Sequence, residues 1–139
     1  IIAPIGARIA DVIEFCGGYK APPKKILMGG PIMGRAIFSD SLPVVKNNNA
    51  ILAFDGPQGL VPEETSCINC GRCHSACPFN LLPTALSDAM EQKDAEKLDQ
   101  LEVMQCMECG SCAYVCPARR PLGFNNKLGK AILKEAQSK

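Results

Sequence analysis

Residues 67–78 read Cys-Ile-Asn-Cys-Gly-Arg-Cys-His-Ser-Ala-Cys-Pro, and residues 106–117 read Cys-Met-Glu-Cys-Gly-Ser-Cys-Ala-Tyr-Val-Cys-Pro. Both stretches have the spacing C-x2-C-x2-C-x3-C-P, and every cysteine recurs at an offset of 39 residues. A glycine follows the second cysteine in each stretch, and a proline follows the fourth. The chain therefore contains an internal duplication of the motif found in ferredoxins with two 4Fe–4S clusters.

The spacing also predicts how the thiolates are shared. Three cysteines separated by two residues each fit one tight loop around one cubane, and the glycine permits close approach of the backbone. The fourth cysteine leaves that loop with its proline, and in two-cluster ferredoxins it binds the other cluster. We therefore assign Cys67, Cys70, Cys73 and Cys116 to cluster 1, and Cys106, Cys109, Cys112 and Cys77 to cluster 2.

Structural zinc and disulfides are the alternatives for these cysteines. A zinc site needs four ligands, commonly from two separated C-x2-C pairs, and the C-P ending has no role in it. Disulfides suit small secreted chains, whereas here no basic segment leads into an apolar core as in a secretory signal. Because all eight cluster positions carry cysteine, we expect clusters that carry electrons, and we assign no catalytic residue.

Composition excludes several classes of protein. The chain has 139 residues, a formal net charge of +1, 47% hydrophobic residues and 5% aromatic residues. Such a balance argues against a nucleic-acid binder that works by bulk positive charge. Its apolar runs fall short of the ~18 residues of a membrane helix, so we expect no transmembrane segment. Charge is segregated, with the acidic excess in residues 63–108 and a basic excess after them.

Two regions outside the motifs have helical periodicity. Residues 78–105 are predicted to be helical, with Asp94 as the cap of a second helix. The tail that starts at Phe124 and ends at Lys139 has Phe124, Leu128 and Ile132 spaced four residues apart among lysines. Its apolar stripe is expected to pack on the adjacent domain, with a membrane surface as the alternative. The region between the motifs resembles the α-helical ferredoxin arrangement of succinate dehydrogenase and fumarate reductase iron–sulfur subunits.

The first sixty residues have a different composition and predict a small α+β unit. We predict a helix over residues 7–16. Strands are predicted at residues 1–5, 24–28, 43–45 and 50–54. Residues 29–34, Gly-Gly-Pro-Ile-Met-Gly, predict a structural turn, with a phosphate-binding loop as the alternative. Cys16 is expected to be buried as a small apolar residue, with a reactive thiol or an extra ligand as the alternative. His74 is expected to face solvent, with a role in coupling protons to a cluster as the alternative.

With both halves read, the chain resembles the C-subunit family of the Rnf electron-transport complex. The residues that carry the resemblance are 29–34, 43–46, 49–52, both cysteine motifs and 116–122. It implies an α+β fold, with an SLBB-like β-grasp domain at residues 1–55, a linker at 56–66 and a ferredoxin-type domain with two 4Fe–4S clusters at 67–139. It also implies that FMN and NADH bind to an upstream region with no counterpart here.

The resemblance implies the electron-transfer module of a membrane-associated NADH:ferredoxin-type oxidoreductase. Electrons would pass between the upstream flavin and partner subunits, and a ferredoxin is a further partner. The module would sit peripherally on the cytoplasmic side of a bacterial membrane, without nucleic acid, and would not be catalytic alone. The alternatives are the SLBB and iron–sulfur module of a cobalamin reductase-like flavoprotein, and a structural docking domain stabilised by metal.

Overall fold

A three-stranded antiparallel sheet forms the centre of the first of two units in the chain. In a computed structural model, which describes residues 1–138 apart from the side chain of Gln58, the first unit covers Ile1–Val61 and the second begins at Pro62. The strands are β1 (Lys25–Met28), β2 (Arg35–Ile37) and β3 (Ile51–Phe54), in the order β2-β1-β3. Leu27 pairs with Ala36 on one side and with Leu52 on the other.

One helix accompanies this sheet. Helix α1 spans Ile9–Phe15, inside the predicted range, and a 3-10 turn follows β3 at Pro57–Gly59. Ile9 is fully buried, and Leu27 and Val44 are also buried, so the small core of this unit is aliphatic. The predicted strand at 24–28 is confirmed as β1, and the one at 50–54 is confirmed as β3.

Two predicted strands are wrong and one strand was missed. Residues 1–5 form no strand, and residues 43–45 make an isolated bridge in which Pro43 pairs with Arg8. Pro4 lacks the N–H group that a ladder needs. The bridge at Pro43 is formed by two flanking hydrogen bonds, from Ile9 N–H to Leu42 C=O and from Val44 N–H to Ala7 C=O. The missed strand is β2, whose three residues pair with β1.

The glycine-rich segment at residues 29–34 is the connection between β1 and β2. Gly34 N–H donates to Gly30 C=O at 2.7 Å, and a Cβ on Gly34 would overlap that carbonyl oxygen. Gly29 has φ +108°, in the region that favours glycine. The prediction of a structural turn agrees with this hairpin, which leads into a strand.

The second unit is helical. Its helices are α2 (Arg72–Ser75), α3 (Pro83–Glu91), α4 (Ala95–Gln100), α5 (Ser111–Tyr114) and α6 (Leu122–Gln137). Helix α6 packs against α3 and α4, and α2 packs against α5. The shared core contains Leu81, Leu86, Ala89, Leu98, Val103 and Leu133. None of the helices in residues 1–138 has the length and apolar character of a membrane-crossing segment.

The sequence duplication is repeated in the backbone of this unit. Helices α2 and α5 begin at Arg72 and Ser111, and α3 and α6 begin at Pro83 and Leu122, in both cases 39 residues apart. The predicted cap is confirmed, because the Asp94 carboxylate accepts a hydrogen bond from Lys97 N–H at 3.0 Å at the start of α4.

The face of α6 that packs inward differs from the predicted stripe. Phe124 and Leu128 are 62% and 39% exposed, whereas Ile132 is half-buried against the core. The buried face consists of Leu122, Asn125, Asn126, Gly129 and Leu133. Gly129 explains why this face packs inward. A Cβ at Gly129 would already lie 3.0 Å from Leu98 Cδ2, so a small residue is required where α6 crosses α4. Lys139, the last residue of the predicted helix, lies outside the described residues.

Candidate metal centre

The eight motif cysteines line two separate cavities in the second unit. A cavity of about 250 Å³ is lined by Cys67, Cys70, Cys73 and Cys116. A narrower cavity of about 20 Å³ is lined by Cys77, Cys106, Cys109 and Cys112. Each cavity is therefore bordered by three cysteines of one motif and the last cysteine of the other.

The loop that carries the first three cysteines is shaped by left-handed residues at matching positions. Asn69 has φ 54° and Gly71 has φ 74°, and their counterparts Glu108 and Gly110 have φ 58° and 77°. A glutamate is unusual in this region. Lys130 Nζ lies 3.0 Å from the Glu108 carboxylate and lowers its pKa, so the side chain of Glu108 is tied to α6.

The fourth cysteine of each motif leaves its loop through a second left-handed turn. Asn80 N–H donates to Cys77 C=O and Arg119 N–H donates to Cys116 C=O, both at 3.1 Å. Asn80 and Arg119 have φ 54° and 55°. The turn reverses the chain directly after Cys-Pro, and this reversal leads into α3 in one motif and α6 in the other.

The entry to the first motif is fastened to the exit from the second. Thr65 N–H donates to Ala118 C=O at 3.0 Å, and Arg120 Nε donates to the Glu64 carboxylate at 3.1 Å. These contacts join the segment just before Cys67 to the segment just after Cys116. They account for the position of Cys116 on the cavity of the first motif.

Burial changes the acidity of the cysteines. Burial raises the pKa of Cys112 to about 11, whereas a hydrogen bond with the Ser111 hydroxyl, 3.4 Å away, lowers the pKa of Cys109. A buried thiolate is unfavourable without a nearby positive charge. A bound metal supplies that charge and holds the ligand deprotonated, which couples cluster binding to the folding of this unit.

Arg120 lies just after the second motif, joins the segment before the first motif through Glu64, and was not singled out from the sequence. Its side chain is 11% exposed, and its Nη2 lies 3.1 Å from Glu91 and 3.5 Å from Asp88. Burial acts to lower its pKa, but the hydrogen bond with Glu64, these carboxylates and a hydrogen bond with Cys67 outweigh that effect and raise it. The guanidinium is thus a buried cation whose hydrogen bonds join the segment before the first motif to α3.

Asn126 borders the second cavity and was also not singled out from the sequence. It lies on α6, is 1% exposed, and its Nδ2 lies 3.7 Å from Cys106 Sγ. Nothing in the local sequence indicated this role. On the helix Asn126 lies opposite the predicted stripe of Phe124, Leu128 and Ile132, and its contact with Cys106 joins residues that are 20 positions apart.

Two other residues considered from the sequence lie away from the cavities or at their edge. Cys16 is exposed, which corrects the expectation that it is buried; it follows the last residue of α1 and borders a cavity of about 590 Å³ in the first unit. His74 is exposed, as expected, and its Nδ1 lies 2.9 Å from Leu81 C=O. Neither residue is required to complete a set of four thiols.

The donor chemistry fits two cubanes. Within residues 1–138, no three His, Cys, Asp or Glu side chains converge closely enough to hold a single metal ion. In a 4Fe–4S cluster each cysteine binds a different iron, so the four sulfurs surround the cluster instead of meeting at one ion. Four thiols around each cavity are the required donor set.

Comparison with known proteins agrees with this chemistry. Residues 66–119 match the family described as "4Fe-4S dicluster domain". The C subunit of an ion-translocating oxidoreductase complex of Methanosarcina acetivorans is 41% identical over 122 residues, which are 88% of this chain and 27% of the relative. The protein of the same name in Rhodobacter capsulatus is 38% identical over 135 residues, 97% of this chain and 26% of the relative.

This chain belongs to the C-subunit family of Rnf electron-transport complexes. The C subunit of a proton-translocating ferredoxin:NAD(+) oxidoreductase complex of Clostridium ljungdahlii is 44% identical over 94 residues, 68% of this chain and 20% of the relative. The chain spans about a quarter or less of the length of these relatives. Within the family it carries the iron–sulfur part, whose cofactors are two 4Fe–4S clusters.

Proposed function

We propose that this part of the Rnf C subunit relays electrons between an upstream flavin and partner subunits of a membrane-associated NADH:ferredoxin-type oxidoreductase. The observation that carries the proposal is the pair of four-cysteine cavities inside one helical unit, where α2 packs against α5. Each cluster, when bound, would accept and release one electron. The chain's own residues hold the clusters, and the hydrogen-bond donors around the sulfurs adjust their potentials.

The proposed ligand sets cross between the motifs. Cluster 1 takes Cys67, Cys70, Cys73 and Cys116, and cluster 2 takes Cys106, Cys109, Cys112 and Cys77. The lining of the two cavities supports this assignment, as do the left-handed turns that carry Cys77 and Cys116 out of their own loops. The crossing links the two halves of the unit and brings both clusters close together.

The wider assembly is proposed from the family. Residues 1–55 would be an SLBB-like β-grasp domain, 56–66 a linker and 67–139 the ferredoxin-type domain. The boundary after Val61 and the three-stranded sheet support this division. FMN and NADH would bind in the remainder of the protein. The relatives are named as subunits of ion-translocating and ferredoxin:NAD(+) oxidoreductase complexes, which supports other complex subunits and a ferredoxin as partners. The location at the cytoplasmic face of a bacterial membrane is part of the same proposal.

Iron and acid-labile sulfide quantitation, with electron paramagnetic resonance (EPR) after dithionite reduction, tests the relay. The chain purified or reconstituted anaerobically is expected to hold about eight irons and eight sulfides. Reduction should produce a signal from two magnetically coupled clusters, because the crossing places them close together. Stoichiometric zinc without sulfide in the anaerobic preparation would contradict the proposal and favour a structural docking domain.

A matched pair of variants tests the crossed assignment. Cys116→Ser is expected to alter the spectrum of the cluster held by the first motif, and Cys77→Ser that of the cluster held by the second. Cys16→Ser is the control, because Cys16 borders a cavity in the other unit and should leave both spectra unchanged. If Cys116→Ser altered the second-motif cluster alone, each motif would bind its own four-cysteine cluster and the crossing would be wrong.

A further inference from the structure

Asn126 is a buried polar residue whose polarity does not help the fold. The side chain is 1% exposed in the middle of α6. Its Oδ1 atom is buried and has no hydrogen-bond partner in the part of the chain that the structure describes. An unpaired buried acceptor destabilises a protein relative to an apolar residue of the same shape. The role of the amide therefore depends on its NH₂ group.

The other end of the amide faces a proposed cluster ligand. Asn126 Nδ2 lies 3.7 Å from Cys106 Sγ, and the residue borders the cavity that Cys106 shares with Cys77, Cys109 and Cys112. A thiolate accepts hydrogen bonds and donates none, so the amide must present its NH₂ group to the sulfur. That requirement leaves Oδ1 pointing to the side without a partner.

Close helix packing holds this amide in place. A Cβ on Gly123 would lie 3.5 Å from Gly110 Cα, so the first turn of α6 rests on the loop of the second motif. One turn beyond Asn126, Gly129 approaches Leu98 so closely that a Cβ would lie 3.0 Å from Leu98 Cδ2. The position of Asn126 relative to Cys106 is thus determined on both sides.

At the position that matches Asn126, the first half of the repeat has a serine and no amide. The 39-residue repeat aligns Asn126 with Ser87, which is fully buried. Ser87 Oγ accepts hydrogen bonds from Asn125 Nδ2 at 2.8 Å and from Arg120 Nη2 at 3.3 Å. The Arg120 guanidinium in turn lies 3.1 Å from the Glu91 carboxylate and 3.5 Å from that of Asp88. The two halves of the repeat therefore differ, because Asn126 faces a cysteine sulfur whereas Ser87 bonds an amide and a cation.

We propose that Asn126 is a positioning residue that raises the reduction potential of cluster 2 by donating an N–H group to the Cys106 thiolate. The inference rests on the ligand sets of the proposed function. Reduction adds negative charge that spreads onto the sulfurs, and a donor at a sulfur stabilises the reduced form more than the oxidised form.

Redox titration of the anaerobically reconstituted full chain, followed by EPR, tests the inference. In Asn126→Leu, which has similar volume and no donor, the reduced-to-oxidised ratio of one cluster at a given potential should fall about tenfold, equivalent to a 59 mV decrease for one electron. Asn126→Asp should lower that ratio further, because it replaces the donor by an anion. Asn125→Leu is the matched control, since Asn125 is buried on the same helix but bonds Ser87; it should leave the potential of cluster 2 unchanged.

Cluster content and potential together separate the tuning role of Asn126 from the relay itself. Cys109→Ser identifies which EPR signal belongs to cluster 2. If iron and sulfide are near eight each and Asn126→Leu leaves both potentials in place, the relay stands and the tuning role is wrong. If Asn126→Leu and Asn126→Asp instead lose cluster 2 and keep cluster 1, Asn126 is a residue of cluster assembly and the inference is overturned. Failure to find two clusters in the unsubstituted chain would reject the proposed function first.

Discussion

The contact between Gly129 on α6 and Leu98 on α4 allows a quantitative test of the packing that holds the second unit together. Leu98 is fully buried in the shared core. A Cβ at Gly129 would lie 3.0 Å from Leu98 Cδ2 and 3.4 Å from Val103 Cγ2. Gly129→Ala therefore adds a methyl group where there is almost no room, and Leu98→Ala removes the atom that it would meet.

The two substitutions are expected to be strongly coupled. Gly129→Ala gains about 1 kcal/mol in helix propensity but overpacks the core at a cost of about 1–3 kcal/mol, so it should destabilise by about 1 kcal/mol. Leu98→Ala should cost about 3 kcal/mol. In the Leu98→Ala background the overpacking disappears, so Gly129→Ala should stabilise by about 1 kcal/mol. The coupling free energy is then about 2 kcal/mol, within the range for residues in contact.

Anaerobic urea unfolding of the four reconstituted proteins, followed by far-UV circular dichroism, measures this coupling from the transition midpoints. The decisive observation is the sign: Gly129→Ala should lower the midpoint in the native background and raise it in the Leu98→Ala background. Gly123→Ala is the control on the same helix, because its Cβ would make an ordinary 3.5 Å contact with Gly110 and no contact with Leu98. An equal effect of Gly129→Ala in both backgrounds would refute the reasoning.

Three further changes test other contacts. Arg120→Met should destabilise the second unit by about 1 kcal/mol in urea unfolding, because it removes a hydrogen bond to buried Ser87 and ion pairs with three carboxylates that are half-exposed and regain water. Asp94→Ala should cost about 1 kcal/mol by leaving Lys97 N–H uncapped, whereas Asp94→Asn should keep most of the stability. Burial and the hydrogen bond to Asp40 raise the pKa of Tyr19. Its contribution should therefore be complete below about pH 10 and lost at higher pH, and Tyr19→Phe should abolish that alkaline loss in pH-dependent unfolding.

The elements that were predicted correctly are those with a strong local signal. Helices α3 and α4 follow from apolar residues at helical spacing and from the Asp94 cap, and β1 and β3 are short apolar runs. Strand β2 is only three residues long and is stabilised by its pairing with β1, so no local sequence pattern predicted it. The strand predicted at residues 1–5 from their apolar composition does not form, because Pro4 has no N–H group to donate to a neighbouring strand.

The prediction for α6 failed in a more informative way. Apolar periodicity selected Phe124, Leu128 and Ile132, which is the most hydrophobic face of the helix. The folded unit instead turns Asn126 and Gly129 inward, because one donates to a cysteine sulfur and the other allows close approach to Leu98. Hydrophobicity alone cannot predict that this face is buried, because its packing depends on the hydrogen bond of Asn126 and on the small size of Gly129.

The sequence by itself determined the class of cofactor and the loops that carry the cysteines, because cluster ligands within one motif are separated by two or three residues and the spacing is a local property. It also determined the duplication, which the backbone repeats at an offset of 39 residues. The tertiary structure alone decided which side chains face the sulfurs. Asn126 reaches Cys106 across 20 positions, and Arg120 reaches Glu64 beside the first motif across 56 positions. Such contacts exist only after the helices have packed.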